Sequence, residues 1–344
     1  MFGGSLHVLL KMFRAVILFC LLAAAAAGPP VVKTRREIED LKQTLERSRE
    51  DDGLTLEERM AMRPLQSEWA NSGKFEGDMI LTDEQIQDLV DGFSSSGRMA
   101  TTRANSRWPQ STVVYEFGSG EFNLDQQRYI LMVMERLSIR TCVRFRTRTS
   151  SDRNFVRITG RSDGCYAHVG FHSTLGAHTL NLARSTPGFG CLDFVTVAHE
   201  WYHILGFHHM QSTHNRDEYV RIHWENIQDG FAHAFYRYDD TTNLGIPYEY
   251  GSCMHYGTHY FSRNGRPTLS TTRQYNGVLG QTDHISGWDI LRLQRHYNCP
   301  GAWSDEAMTK ARTTAIVQAE NGHLVEKELD QPPADEFEHL EDFE

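Results

Sequence analysis

Residues 199–217, HEWYHILGFHHMQSTHNRD, decide how the rest of this chain is interpreted. His199 and His203 are four residues apart, so on a helix both imidazoles would project from one face, as two zinc ligands require. Glu200 would lie beside the first of them, within reach of a water at the metal. Apolar residues on both sides of the motif favour a helix. The pattern therefore predicts a helix that binds zinc.

The residues that follow extend this pattern to H-E-x-x-H-x-x-G-x-x-H. Gly206 comes three residues after His203, where the helix must end, and glycine tolerates the left-handed conformation of a helix cap. His209 comes three residues later, which makes a third ligand and leaves a fourth zinc position open for water. The spacing selects His209 and leaves its neighbour His208, and also His214, as ordinary histidines outside the metal site.

The remaining segments favour an α+β domain. Residues 113–117, 155–158 and 179–182 are typical of strands, whereas residues 126–137 and 292–297 have helical spacing. This order of strand, helix and strand, followed by helix and irregular chain, is typical of the α+β class.

A second motif lies downstream, where residues 250–256 (YGSCMHY) contain S-x-M-H-Y. Met254, in a tight turn, would form an apolar floor under the metal. With this turn, the chain resembles the astacin family of the metzincin clan, as it also does at GQTDHISGWD (280–289) and YNC (297–299). The resemblance covers roughly residues 98–300. It implies a metzincin-like catalytic domain in which two subdomains flank a zinc cleft, preceded by a pro-segment.

The resemblance also implies a role for each motif residue. One Zn²⁺ per catalytic domain would be held by His199, His203 and His209, with Glu200 acting as general base and then as proton donor. Tyr256 would stabilise the oxyanion. Without the motif, the better interpretation of this residue would be a buried tyrosine in a turn. These roles agree with zinc-assisted hydrolysis. The expected activity is that of a zinc metalloendopeptidase acting on proteins or peptides. The alternative is a catalytically inactive, zinc-bound binding protein on the same scaffold.

A pro-segment motif provides a further expectation. Residues 75–78 (FEGD) match the F-x-G-D motif of astacin precursors, whose aspartate occupies the open zinc position. Asp78 would therefore be a zinc ligand in the zymogen only, and the pro-segment would be the inhibitor of its own enzyme. A trypsin-like protease would activate the precursor by cutting between Asp78 and Trp108. The preferred bond is Arg98–Met99, after a small-residue linker, and the alternatives are Arg103–Ala104 and Arg107–Trp108.

The N-terminus is typical of a secretory signal. Lys11 and Arg14 precede an apolar run of 13 residues, 15–27, which ends in alanines suited to signal peptidase. The rival interpretation is a membrane anchor, but the run is shorter than the roughly 20 residues needed to span a bilayer. We therefore expect residues 1–27 to be a signal peptide and the protein to be secreted and extracellular, with no membrane anchor.

Secretion determines how the cysteines are interpreted. Five remain after residue 27, so four of them can form two disulfides in an oxidising compartment, and the residues alone allow several pairings. The family resemblance implies the pairs Cys142–Cys299 and Cys165–Cys191. Cys253 would then be a buried free thiol that packs as a small hydrophobic residue.

Charge and composition divide the chain further. The formal net charge is −10, which argues against a nucleic-acid partner that would need a basic face. We expect a signal peptide at 1–27, a pro-segment at 28–98, the protease domain at 99–300 and an acidic, disordered tail at 301–344. Residues 31–63 are densely charged and favour a solvated helix or a flexible segment, not part of a core. Thr82 and Gln85 predict a capping box at the start of a helix.

One position departs from the family pattern. Astacins usually carry a glutamate directly after the third histidine, where it contacts the new N-terminus of the mature enzyme, and this chain has Met210 there. A thioether cannot pair with an ammonium group. We therefore expect the enzyme to remain active. We also expect the rigidity of its cleft to depend less on how the pro-segment is trimmed than it does in other astacins.

Overall fold

The computed structural model describes residues 34–96, 106–239, 241–320 and 322–329. The helices are α1 (Arg35–Arg47), α2 (Leu56–Met62), α3 (Asp83–Ser96), α4 (Leu124–Arg140), α5 (Phe194–Ile204), α6 (Gly287–His296) and α7 (Asp305–Thr313). The strands are β1 (Met79–Ile80), β2 (Thr112–Phe117), β3 (Arg144–Thr147), β4 (Phe155–Thr159), β5 (Cys165–His168), β6 (Ala177–Leu182), β7 (Val220–Ile222), β8 (Leu269–Thr271), β9 (His284–Ser286), β10 (Thr314–Gln318) and β11 (Leu324–Glu328). The predicted signal peptide and the bonds Arg98–Met99 and Arg103–Ala104 lie outside the described residues.

The first half of the catalytic region is a mixed sheet covered by two helices. The sheet has six strands in the order β1-β5-β6-β4-β2-β3, of which β1 comes from the segment before the catalytic region; β5 is antiparallel to β6 and the other neighbours are parallel. Helix α4 begins at Asn123, which forms a capping box with Gln126, and it buries one apolar face. The parallel connection from β2 to β3 runs through α4, as crossover connections require. The expected α+β class is thus confirmed.

Helix α5 lies in the core and carries the zinc motif. Its N-cap is Asp193, whose carboxylate accepts hydrogen bonds from the backbone amides of Val195 and Thr196, and all eleven of its residues are buried. The helix ends at Ile204, and Gly206 follows with a φ of +102°. A Cβ at Gly206 would lie 2.7 Å from the Ser106 hydroxyl oxygen, so glycine is required both for the turn and for the space.

The second half of the catalytic region is mostly irregular chain and short 3₁₀ turns, closed by α6. Helix α6 is tied to the 252–254 turn through Asp289, whose carboxylate accepts hydrogen bonds from the Ser252 hydroxyl at 2.6 Å and the Cys253 amide at 2.9 Å. The buried carboxylate therefore fixes the turn beside the zinc motif. Among the described residues, we find no helix that combines the length and the apolar character needed to cross a membrane.

The expectation of a disordered tail from residue 301 is wrong for its first part. Helix α7 and strands β10 and β11 are folded, and β10 pairs with both β9 and β11 in an antiparallel sheet. Ala315, Ile316 and Leu324 are almost completely buried. The acidic residues of β11 are exposed and Leu324 is its one buried residue, so the high charge of this segment concealed the few apolar residues that pack. Residues 330–344 lie outside the described residues.

The charged segment at 31–63 also contributes to a core, contrary to the sequence interpretation. Helix α1 buries Leu41 and Leu45, which are four residues apart and form one narrow apolar stripe. They pack in a cluster with residues of β1, α3 and the catalytic region, namely Phe75, Met79, Leu81, Ile86, Leu89, Val90, Phe93, Val169 and Tyr238. The predicted capping box is confirmed, since the Thr82 amide donates to Gln85 and the Gln85 amide donates to Thr82.

Two disulfides are present, and they match the pairs that the family resemblance implies. Cys142–Cys299 joins residues 157 positions apart, whereas Cys165–Cys191 spans 26 positions. Cys253 is a free, buried thiol. The long bridge connects the end of α4 to the end of α6, so it links the two halves of the catalytic region.

Loss of the long disulfide is expected to destabilise the protein more than loss of the short one. Chain-entropy reasoning assigns about 5 kcal/mol to a loop of this length and about 3.5 kcal/mol to the shorter loop. We expect Cys142→Ala/Cys299→Ala to lower the midpoint of guanidinium unfolding further than Cys165→Ala/Cys191→Ala. Equal midpoints, or the reverse order, would contradict the assignment of the long bridge as the main constraint on the unfolded chain.

Candidate active site

The three motif histidines and Asp78 meet at one point between the two halves of the catalytic region. His199 and His203 project from α5, and the turn at Gly206 returns the chain so that His209 faces them. One ligand atom from each of these histidines and from Asp78 lies within 4.8 Å of every other. The Asp78 carboxylate is 2.9 Å from His199 Nε2, 3.2 Å from His209 Nε2 and 3.4 Å from His203 Nε2. All four side chains are completely buried.

This donor set fits a zinc ion. Three imidazole nitrogens and one carboxylate oxygen are a typical tetrahedral zinc environment. Both carboxylate oxygens of Glu200 and the Oδ1 atom of Asp78 are buried and have no hydrogen-bond partner among the described residues. Buried carboxylates without partners are costly, and a cation beside them reduces that cost. The unpartnered oxygens therefore support a metal at the histidines.

Each histidine is held by a hydrogen bond from its other ring nitrogen. His199 Nδ1 is 2.8 Å from the Cys253 carbonyl, and His203 Nδ1 is 2.8 Å from the Phe207 carbonyl. With Nδ1 as the donor, Nε2 keeps its lone pair for a metal. The third such partner comes from outside the catalytic region, because His209 Nδ1 is 2.9 Å from the carboxylate of Glu76. The motif spacing predicted the ligands but none of these partners.

The two carboxylates nearest the histidines have opposite pKa shifts. Burial raises the pKa of Glu200 well above its ordinary value, and the negative charge of Asp78 raises it further. Burial also acts to raise the pKa of Asp78, but His209 and His203 outweigh it and hold that pKa well below its usual range. Asp78 is thus the ionised member, and Glu200 is the group suited to holding a proton.

Tyr256 lies beside the same histidines. Its ring centroid is 4.8 Å from that of His209, and its hydroxyl donates to the Glu76 carbonyl at 2.5 Å. Burial raises the pKa of the Tyr256 phenol well above its ordinary value, and the charges of Glu76 and Asp78 add to the shift. The phenol is therefore a hydrogen-bond donor at neutral pH, aimed at a carbonyl oxygen next to the metal site.

Residues upstream of Asp78 cover the site in a way that sequence reasoning missed. The Trp69 ring stacks on His199 with centroids 4.1 Å apart. The Ser72 hydroxyl donates to the Cys165 carbonyl at 2.6 Å and accepts from the Cys165 amide at 2.8 Å, so it satisfies the edge of strand β5. Further along, β1 pairs in parallel with β5. No local motif marks Trp69 or Ser72, because both act through contacts with residues far away in the chain.

The other residues singled out in the motif region lie apart from the ligand group. The His208 ring lies against the Tyr238 ring in a tilted orientation, with centroids 5.1 Å apart, and the His214 amide donates to the Thr241 hydroxyl at 2.8 Å. Met210 is buried in an apolar cluster with Val220, Tyr248, Tyr250, Leu269 and Leu279, and its amide donates to the Met254 carbonyl at 2.9 Å. The thioether at this position therefore packs as a hydrophobic residue, consistent with the absence of a charged partner.

Comparisons with known proteins agree with this site. A family profile described as Astacin (Peptidase family M12A) matches residues 100–298. Protein SpAN of Strongylocentrotus purpuratus is 36% identical over 240 residues, which cover 66% of this chain and 38% of that protein. Zinc metalloproteinase nas-4 of Caenorhabditis elegans is 32% identical over 228 residues, covering 66% of this chain and 69% of that protein. This chain thus aligns to well under half of SpAN's length.

A solved structure gives the same result for the fold. High choriolytic enzyme 1, a hatching enzyme zinc-protease from Oryzias latipes, superposes with a TM-score of 0.50 at 34% identity, over 60% of this chain and 96% of that chain. The profile match covers more than half of this chain and includes all three motif histidines. The chain belongs to the astacin family of zinc-dependent metallopeptidases.

Proposed function

We propose that this protein is a secreted zinc endopeptidase that hydrolyses peptide bonds in proteins and is made as a zymogen. The observation that carries the proposal is the buried group of His199, His203, His209 and Asp78 beside the unpartnered carboxylate of Glu200. The relatives named as zinc metalloproteinases and as a hatching enzyme support proteolysis.

The catalytic residues divide the chemistry between them. The three histidines would hold the zinc ion, which would supply the Lewis acidity needed to acidify a water and polarise the scissile carbonyl. Glu200, next to the first ligand, takes the proton of the attacking water and then delivers it to the leaving amine. Tyr256 donates a hydrogen bond to the oxygen that becomes negative on the tetrahedral carbon. Its contact with the Glu76 carbonyl supports this role, since a peptide carbonyl already accepts from it there.

Latency is proposed to arise from Asp78 and the segment around it. The Asp78 carboxylate approaches all three Nε2 atoms and would take the position that the attacking water needs. Trp69 covers His199, and β1 occupies the edge of β5, to which an extended substrate would otherwise add. The pro-segment would therefore exclude both the water and the substrate.

Secretion and activation complete the proposal. The signal at residues 1–27 and the two disulfides support an oxidising, extracellular location. Arg107–Trp108 is the candidate activation bond that lies within the described residues, and its surroundings disfavour cleavage there: Trp108 is buried, and Arg107 donates to the His296 carbonyl at 3.0 Å. We therefore keep Arg98–Met99 as the preferred site for a trypsin-like protease.

Metal removal tests the proposed activity. We expect the trypsin-treated precursor to cleave casein, and a chelator to reduce the rate by on the order of a hundredfold or more, because the water loses its activating cation. Stoichiometric Zn²⁺ should restore the rate, and untreated precursor should remain inactive throughout. Treated protein that binds zinc but leaves casein intact would favour the alternative of a catalytically inactive, zinc-bound binding protein.

A further inference from the structure

The three candidate zinc ligands are not supported in the same way. The partners of His199 and His203 are backbone carbonyls of Cys253 and Phe207, which belong to the catalytic region and stay there after activation. The partner of His209 is a carboxylate of the pro-segment, that of Glu76. Activation would therefore remove the outer support of one ligand and leave the other two intact.

Glu76 is held firmly in its place. Its side chain is completely buried, and its carboxylate bridges His209 Nδ1 at 2.9 Å and the Tyr238 hydroxyl at 2.6 Å. Its backbone has a φ of +50°, a left-handed conformation that residues other than glycine rarely adopt. Gly77 follows with a φ of +104°, and a Cβ there would lie 2.9 Å from the Ala70 backbone. The tight turn thus depends on a dense set of surrounding contacts.

The consequence of this turn is that two carboxylates approach opposite sides of one imidazole. Asp78 lies 3.2 Å from Nε2 of His209, and Glu76 lies 2.9 Å from Nδ1 of the same ring. A carboxylate at Nδ1 keeps the proton on that nitrogen, directs the lone pair of Nε2 to the metal and makes the imidazole a better donor. Glu76 therefore fits the outer position of a carboxylate–histidine–zinc arrangement.

We propose that Glu76 is a positioning residue through which the pro-segment strengthens zinc binding at His209, so that the precursor retains zinc more firmly than Asp78 alone would achieve. This inference rests on the zinc site of the proposed function. It assigns the pro-segment a second task besides blocking the cleft, which is to secure the metal until activation. After cleavage, His209 loses the Glu76 carboxylate as well as the Asp78 ligand on its other side.

The test measures zinc release from the intact precursor into an excess of a chromogenic chelator. We expect Glu76→Ala to accelerate release by roughly 10–100-fold, the usual effect of losing such a partner. Glu76→Gln should show a smaller acceleration, because an amide oxygen still accepts from Nδ1 but carries no charge. The matched control is Ser72→Ala, which removes a buried pro-segment hydrogen bond without contact to the histidines, and it should stay within about twofold of wild type.

A second set of precursors, all of which carry Asp78→Ala, separates the effect of Glu76 on His209 from a general loosening of the pro-segment. In the Asp78→Ala precursor, no carboxylate remains to be displaced from the metal, so Glu76→Ala should still accelerate zinc release by a similar factor. Acceleration no larger than that of Ser72→Ala, in either background, would overturn the proposal. Because Glu76→Gln is close in size to the native residue, it keeps the test valid if the alanine variant does not fold.

A spectroscopic measurement distinguishes an effect of Glu76 on the metal site from a role in packing of the pro-segment alone, which would not change the spectrum. In Co²⁺-substituted precursor, Glu76→Gln should shift the visible absorption bands of the metal, whereas Ser72→Ala should leave them unchanged; identical spectra for all three proteins would contradict the inference. These results are independent of peptide hydrolysis. If the trypsin-treated wild type failed to cleave casein, the proposed activity would be refuted, but zinc retention by the precursors could still be compared. Conversely, equal zinc release from all precursors would refute the role of Glu76 and leave the proposed activity untouched.

Discussion

Replacing Glu200 with glutamine is expected to reduce kcat/KM of the activated enzyme for a peptide substrate by about 10²–10⁴-fold, the usual contribution of a general base. Glutamine has nearly the same shape, but its amide cannot take a proton from the attacking water. The native carboxylate is buried beside the candidate zinc ligands, and neither of its oxygens has a hydrogen-bond partner among the described residues. The measurement is hydrolysis of a quenched fluorescent peptide after trypsin treatment.

Two controls make that result specific. Zinc content should remain at one ion per protein, because Glu200 is not among the residues that face the metal with a ligand atom. Glu218→Gln changes an exposed carboxylate elsewhere on the same chain and should leave kcat/KM unchanged. A Glu200→Gln enzyme that retained wild-type hydrolysis with full zinc occupancy would refute the assigned base.

Replacing Asp78 with alanine is expected to give the uncut precursor measurable activity where the wild-type precursor has none. Alanine cannot occupy the position that the attacking water needs, so the block at the metal is removed. Trp69 and β1 still cover the cleft, so substrate must wait for the pro-segment to open. Minor open states are typically populated at roughly 0.1–10%, and we expect activity within that fraction of the cleaved enzyme.

The matched control for this variant is Asp91→Ala, which removes an exposed carboxylate from α3 of the same pro-segment and should preserve latency. Both precursors need an additional change of Arg98 to glutamine, so that accidental cleavage at the preferred bond does not imitate activation. A fully latent Asp78→Ala precursor with normal zinc content would show that covering of the cleft, and not the carboxylate, keeps the enzyme inactive.

Much of the site was predictable because its ligands follow local geometry. The spacing of His199 and His203 depends on helix periodicity, and the glycine after them marks where the helix must turn. The sequence also predicted β2, β4 and β6 of the sheet and the capping box at Thr82, since these features depend on neighbours within a few residues, whereas β1 and β5 were not predicted. The predicted ligand group, together with Asp78 from the upstream motif, meets at one point in the fold.

The incorrect predictions also have a physical explanation. Residues 301–329 were expected to be disordered because of their charge, but β10 carries a buried run, pairs with both β9 and β11, and packs with the buried Leu324 of β11. Helix α1 was expected to be solvated, yet two leucines on one stripe were enough to join the cluster with Tyr238. In both cases net charge described the exposed surface of the segment and said nothing about the narrow face that packs.

The sequence by itself therefore determined the three candidate ligands through their spacing, and its motifs indicated the family, the candidate base Glu200 and the candidate blocking residue Asp78. Only the tertiary structure decided what supports and covers them: the carbonyls of Cys253 and Phe207, the carboxylate of Glu76 and the ring of Trp69. The Phe207 carbonyl is four residues from His203, but the other partners are between 54 and 133 positions from the histidines they contact. Those distant partners are brought together by packing of the whole chain, which no local periodicity encodes.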